Sequence, residues 1–173
     1  MKLHTVAPFF VMGFAALLVT LVVIVWKRFG PPFLINETPS EPVGFYQLIP
    51  HPESHYRRGM YVVFPVPQKK RELVYGRHWL RDGIPLLKEI LGLHGDRVCI
   101  YADRFEINSQ FVGPVFAVDR QGQSLPQLRG CFEIQPGYFF AASRHFERSF
   151  DGRYFGPLPI SVVTGEARPL WTF

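Results

Sequence analysis

Apolar residues fall along this chain in two regimes. From Val6 to Trp26 they run without a charged interruption and are mostly Val, Leu, Ala and Phe. At about 1.5 Å per helical residue this run reaches about 31 Å, close to the roughly 30 Å of a bilayer's hydrocarbon core. It predicts a helix able to span. A cleavable secretory signal has a shorter apolar run of about 7 to 15 residues. Here the run closes on Trp26, Lys27 and Arg28, residue types that sit at a membrane interface. A retained anchor is therefore expected over a removed signal. Pro8 and Gly13 are both tolerated in membrane helices. Orientation stays open, because Lys2 and the amino terminus on one side balance Lys27 and Arg28 on the other. The expected division is an anchor over residues 1–29 and one domain over 30–173.

Beyond the anchor the apolar runs shorten and turn residues punctuate them. YVVFPV (61–66), DRVCIYA (96–102), RFEINSQFV (104–112), PVFAVD (114–119), CFEI (131–134), YFFAAS (138–143) and PISVVTGEA (159–167) read as strands. Gly95-Asp96, Gly122, Pro136-Gly137 and Asp151-Gly152 separate several of them. The domain should be mostly β. GIPLLKEILGL (83–93) is open: Pro85 could begin a helix, and an apolar run bounded by glycines could equally be a buried strand. The chain shows no internal repeat, low-complexity tract or long linker.

Charge narrows the partners. The formal net charge is +5, but Lys2, Lys27 and Arg28 supply three of those charges and leave 16 basic against 14 acidic residues. No nucleic acid is expected as a partner. Lys69, Lys70 and Arg71, with Arg77 beyond, read as a solvated loop, a lipid-headgroup or partner contact being the alternative. Cys99 and Cys131 are the only cysteines; one disulfide or two buried thiols are both open. They are too few for a structural zinc site, and neither a Gly-rich phosphate loop nor a His-x-x-x-His pair is present, so no metal and no cofactor are expected.

Candidate chemistry centres on Ser40, set between Pro39 and Pro42 just after the anchor. His51, His55, His78, His94 and His145 are available as bases, since a Ser/His/Asp triad is recognised by geometry and not by chain order. Lys88 is more unusual, lying inside Ile84-Pro85-Leu86-Leu87-Lys88-Glu89-Ile90-Leu91. Burial favours the neutral amine. To act as a base near neutral pH it must fall from about 10.4 to about 7, which requires roughly 4 to 5 kcal/mol of desolvation. On a strand, Leu86 and Ile90 would share its face and Glu89 would point the other way. Taken alone, Lys88 reads first as a snorkelling lysine at a sheet edge, and Ser40 as an ordinary loop serine.

Four blocks resemble a known family. NETPSEPVGFY (36–46) resembles the nucleophile segment of type I signal peptidases, GMYVVFPVP (59–67) the strand that follows, PLLKEILGLHGDRV (85–98) the lysine segment, and SFDGRYFGPLP (149–159) the carboxy-terminal box. The Asn-x-Thr-x-Ser-x-Pro-x-Gly form and the RYFGPLP ending are most similar to the conjugative transfer signal peptidases, the TraF type. The resemblance implies a mostly β, signal-peptidase-like domain with a single N-terminal transmembrane helix. Ser40 matches the nucleophile and Lys88 the general base of a Ser/Lys dyad. Thr38 matches the hydroxyl that joins the Ser40 N–H in the oxyanion hole. Ser149 matches a hydroxyl that hydrogen-bonds the lysine amine, and Asp151 and Arg153 a structural acid and base, for which a turn with a surface ion pair is the plainer alternative.

The chain departs from the family at Glu89 and Met60, where an arginine and an aspartate are common. Glu89 is expected to pair with Arg153. The segment AASRHFER also lacks the usual Gly-Asp-Asn run before Ser149.

A serine endopeptidase is thus implied, in a bacterial inner membrane, single-pass, with a periplasmic catalytic domain. Its partners would be the lipid bilayer and a membrane-associated precursor protein, a pilin or a signal-peptide-bearing chain, bound as an added strand. Phe33, Leu34, Phe45 and Tyr46 either dip into lipid or pack in the core. The alternatives are a housekeeping signal peptidase I acting on exported proteins, and a non-catalytic membrane-tethered assembly module.

Overall fold

A computed structural model of the chain describes residues 7–29, 33–50 and 56–173. The chain divides into two units, 1–32 and 33–173. The first holds one helix, α1 (Ala7–Phe29). Its side chains are described from Val11 to Lys27, where Thr20 Oγ1 donates to the Ala16 carbonyl at 2.9 Å. Among the described residues no helix is long and apolar enough to cross a membrane.

The second unit is built from strands. They are β1 (Phe33–Asn36), β2 (Gly44–Pro50), β3 (Tyr61–Phe64), β4 (Leu86–Gly92), β5 (Arg97–Ile100), β6 (Arg104–Ile107), β7 (Gln110–Pro114), β8 (Gly130–Glu133), β9 (Tyr138–Ala142), β10 (Leu158–Pro159) and β11 (Gly165–Thr172). Two short helices, α2 (Arg71–Gly76) and α3 (Gly152–Phe155), lie between strands. A seven-stranded antiparallel sheet has the order β1-β2-β11-β3-β4-β9-β10, and a four-stranded one the order β7-β6-β5-β8. The mostly β expectation holds.

The open segment 83–93 is resolved as the strand β4, every residue of which is buried except Glu89, which is mostly so. Flanked on both sides, β4 reads as a continuous apolar run and not as an alternating one, which is why periodicity could not identify it. Leu86 and Ile90 join Val62, Phe64 and Phe139 in one apolar core, while Leu87 packs with Tyr46, Val63 and Ala167 in another.

Other expected boundaries shift. RFEINSQFV is a hairpin of β6 and β7, turned by Asn108 and Ser109 at φ 52° and 64°. Two positive-φ residues are what a tight primed turn demands. PVFAVD is not a strand: beyond β7 it makes only an isolated bridge, Val118 to Ser124, and the chain turns at Asp119, whose Oδ1 accepts from the N–H groups of Gln121 and Gln123 at 2.9 Å each. PISVVTGEA is split between β10, a 3₁₀ turn at Ile160–Val162 and β11. The basic cluster is not a plain loop: Lys69 and Lys70 end a 3₁₀ turn and Arg71 opens α2, although Lys69 and Arg71 are solvent-exposed as expected.

Strands β1 and β2 were not foreseen. Gly44 begins β2 because the β11 backbone crosses so closely that a Cβ there would collide with the Trp171 carbonyl. Cys99 and Cys131 stand opposite each other on β5 and β8 and are joined as a disulfide.

Candidate active site

The loop between β1 and β2 is organised by a residue that the sequence reading passed over. Asn36, buried at the end of β1, donates from Nδ2 to the carbonyls of Thr38 (2.9 Å), Glu41 (2.9 Å) and Pro42 (3.1 Å). Its Oδ1 accepts from the Thr38 N–H at 3.1 Å and from Thr38 Oγ1 at 2.8 Å. One amide side chain thus satisfies most of the polar groups in the loop, as asparagine does in turns. Tyr46 closes the loop from below, its hydroxyl donating to the Pro42 carbonyl at 2.6 Å.

Ser40 is held at the tip of this loop, and Lys88 Nζ lies 2.5 Å from its Oγ. Lys88 is 3 % exposed. Its strand pairs Val62 of β3 directly with it. Burial drives the amine well below its ordinary value, and the Arg153 guanidinium adds to that, against the upward pulls of Glu41 and Asp151. The arrangement can carry a proton from Ser40 to a neutral amine. Thr38 Oγ1 stands 3.3 Å from Ser40 Oγ, although its nearer partner is Asn36. Ser40, Thr38, Lys88 and Ser149 share one cavity of about 790 Å³, walled elsewhere by apolar groups such as Leu86 and Trp79.

A buried relay supports the loop from behind. Ser143 Oγ donates to the Ser40 carbonyl, and the Ser143 N–H donates to Asp151 Oδ2 at 3.0 Å. Asp151 and Arg153 are wholly inaccessible and bonded through two contacts, Nε to Oδ1 at 2.9 Å and Nη2 to Oδ2 at 3.0 Å. Arg153 also donates to the carbonyls of Pro114 (2.8 Å), Glu147 (2.7 Å) and Ser143 (3.0 Å), and its guanidinium lies 4.7 Å from the Phe105 ring centroid. The alternative of a surface ion pair is corrected: the pair sits in the interior, where a planar five-donor cation can be fully satisfied.

Three further expectations change. Arg153 is fully engaged by Asp151, so Glu89 does not pair with it; Glu89 Oε1 instead lies 3.6 Å from Arg144 Nε. Ser149 Oγ is buried without a hydrogen-bond partner, so the expected bond to Lys88 is not made, and the amine bonds Ser40 instead. Tyr46 is fully buried and Leu34 packs beside it, leaving only Phe33 and Phe45 of the four apolar residues exposed.

No described histidine hydrogen-bonds Ser40, although His78 lines the same cavity. His94 meets the Ile134 carbonyl, His145 meets the Tyr61 hydroxyl at 3.4 Å, and His78 is exposed. His51 and His55 lie outside the described residues. Among the described residues, Glu41, Glu89 and His145 have their side-chain donor atoms within 4.8 Å of one another, a spacing at which a cation could be held. The fold assembles this trio from distant segments, which no local spacing in the sequence announces.

The signal peptidase, peptidase S26, family profile matches residues 6–171. The conjugal transfer protein TraF of Agrobacterium fabrum is 36 % identical over 149 residues, covering 82 % of this chain and 83 % of its own length. A plasmid transfer protein TraF of Escherichia coli is 29 % identical over 149 residues, covering 80 % of this chain and 82 % of its own. A crystal structure of a signal peptidase I from Enterococcus faecalis aligns with 65 % of this chain and 96 % of its own at 20 % identity, with a TM-score of 0.39. The matched span takes in the loop of Ser40, the strand of Lys88 and the Asp151–Arg153 pair, and the chain belongs to the peptidase S26 family of signal peptidases, on its TraF-like side.

Proposed function

We propose that this protein is a membrane-anchored serine endopeptidase that processes membrane-associated precursor proteins, pilin precursors in conjugative transfer, with Ser40 as nucleophile and Lys88 as general base. The observation that carries this reading is the 2.5 Å contact between Ser40 Oγ and a lysine amine that is 3 % exposed. An amine kept from water is poised to be neutral, and a neutral amine in contact with a hydroxyl is the minimum a nucleophile needs for activation.

In the proposed reaction Lys88 takes the Ser40 proton as Oγ attacks the scissile carbonyl. The tetrahedral oxygen is met by the Ser40 N–H and, after rotation away from Asn36, by the Thr38 hydroxyl. Collapse expels the amine, to which the Lys88 ammonium returns its proton. Lys88 then accepts a proton from water as it attacks the acyl-enzyme, and Ser40 is released. The cavity beside the dyad, apolar over much of its wall, would take small or apolar side chains of the substrate.

The anchor reading rests on the uncharged run from Val6 to Trp26 and on the interfacial residues that end it. The TraF names of the two relatives support a conjugative setting, hence a bacterial inner membrane with the catalytic unit in the periplasm. The test is processing of a purified pilin precursor by the full chain in detergent, beside several exported precursors. Cleavage confined to the pilin is expected. Full activity in Ser40→Ala or Lys88→Ala would remove the mechanism, and broad cutting would move the function to general export.

A further inference from the structure

Glu41 follows Ser40 in the chain and is 1 % exposed. Its Oε1 accepts one long hydrogen bond, 3.3 Å, from the Glu89 N–H, and its Oε2 has no partner. None of the ion pairs among the described residues includes it. Asp151, equally buried, shows what a charged carboxylate in this interior needs. It accepts from Arg153 Nε (2.9 Å), Arg153 Nη2 (3.0 Å), the Arg153 N–H (3.2 Å) and the Ser143 N–H (3.0 Å). Glu41 has only its one long bond, and its close neighbours are a second carboxylate, Glu89, and the imidazole of His145. A buried anion without a partner is driven to take up a proton.

We propose that Glu41 is a positioning residue of the Ser40–Lys88 pair, held as an uncharged carboxylic acid so that no anion beside Lys88 draws a proton onto the amine. The inference rests on the dyad reading and extends it. Acid plus amine and carboxylate plus ammonium are two placements of one proton, and only the first leaves Lys88 able to receive the Ser40 proton. The groups around Glu41 bear on that choice from each side: Lys88 and Glu89 from β4, Tyr46 from β2, Tyr61 from β3, His145 and Arg144 after β9, and Asp151 with its Arg153. Burial pushes the Glu41 carboxyl up to about 8, against a downward pull that Lys88 exerts only while it is protonated. Burial likewise pushes Glu89 up, against Arg144 and His145.

A carboxyl whose folded value is raised contributes stability that is complete below about 4.5 and fades as pH rises to about 8. Glutamine keeps the shape and does not titrate. In Glu41→Gln the thermal midpoint should therefore gain on the parent's by several degrees between those two pH values.

The deciding experiment is titration of the full chain labelled with carboxyl-¹³C glutamate, with Glu41 identified by the resonance missing from Glu41→Gln. That resonance should titrate above neutral pH, and its midpoint should move by less than about half a unit in Lys88→Met. A midpoint in the ordinary carboxylate range overturns the inference. So does a rise of more than about half a unit in Lys88→Met, which would mean that a charged ammonium had faced an anion. In kinetics the acid limb of kcat/KM in Glu41→Gln should keep the parental midpoint; a fall of more than about one unit would show that Glu41 had been holding a proton on Lys88. Release of the Glu41 proton on adding zinc ions at neutral pH would assign the Glu41, Glu89 and His145 trio to a cation and overturn it too. Should Glu41→Gln fail to fold, the same titration of Ser40→Ala, assigned through the backbone, decides alone. Undiminished processing by Ser40→Ala with Glu41 still titrating high would sink the dyad and leave the protonated carboxyl standing, so the two failures are distinct.

Discussion

Asp151 and Arg153 are as far from water as Glu41 and Lys88, yet the first two are bonded on every side and the second two are nearly bare. Both sets combine one acid and one base in the same unit, so burial alone does not decide what a charged residue does. Where donors and acceptors match, as around Arg153, the pair ties together β7, the end of β9 and α3. Where they are withheld, as around Lys88, burial pushes the amine toward neutrality and leaves it in contact with a hydroxyl. The first set holds the fold; the second has the makings of chemistry.

That division can be broken most sharply at the bare set. Ser40→Ala and Lys88→Met should each lower precursor processing by about 10⁴-fold or more, while circular dichroism still reports a folded β domain. Retention of rate in either removes the reactive half of the contrast. The matched set should respond in the opposite sense. Arg153→Met strands the Asp151 charge in the interior and should cost about 3 to 5 kcal/mol in urea unfolding. Pairing it with Asp151→Asn should recover part of that loss. A cost under about 1 kcal/mol, the usual worth of an exposed pair, would show that the two sets do not differ as described.

Smaller effects sharpen the picture. Thr38→Val should lower kcat/KM by about 10²-fold with little change in unfolding, and Thr38→Ser should restore most of the rate. If valine is as active as threonine, the hydroxyl has no part in stabilising the oxyanion. The pH profile is the finest probe. Because the folded Lys88 value lies below the ordinary 10.5, activity should rise with pH through a midpoint beneath that value and fall as acid protonates the amine. A limb at the ordinary lysine position would mean an amine in contact with water.

The residues of the bare set were easier to find in the sequence than what surrounds them. Ser40 and Lys88 stood out through block resemblance, and the burial of Lys88 followed from Leu86 and Ile90 on the same strand face. Asn36 was visible only as the first letter of a block, since its role is to serve the backbone of its own loop. Ser143 sat inside an expected strand, and its bond to the Ser40 carbonyl spans 103 positions, a separation that leaves no periodic trace. Glu89 was paired with the wrong arginine because the enclosure of Arg153 by three carbonyls is a property of packing. Strand β2 alternates buried and exposed from Gly44 to Gln47, but its residue types hide this, because apolar Phe45 faces out while Gly44 and Tyr46 face in.

The order of the larger sheet has a consequence for how such a molecule comes into being. Ser40 belongs to the β1–β2 ribbon and Lys88 to the β3–β4 ribbon, and the strand that bridges these ribbons is β11, residues 165–172. A nascent chain therefore has both Ser40 and Lys88 before it has the strand that joins their ribbons into one sheet. Assembly of the larger sheet therefore waits on β11, the strand that stands between the two ribbons.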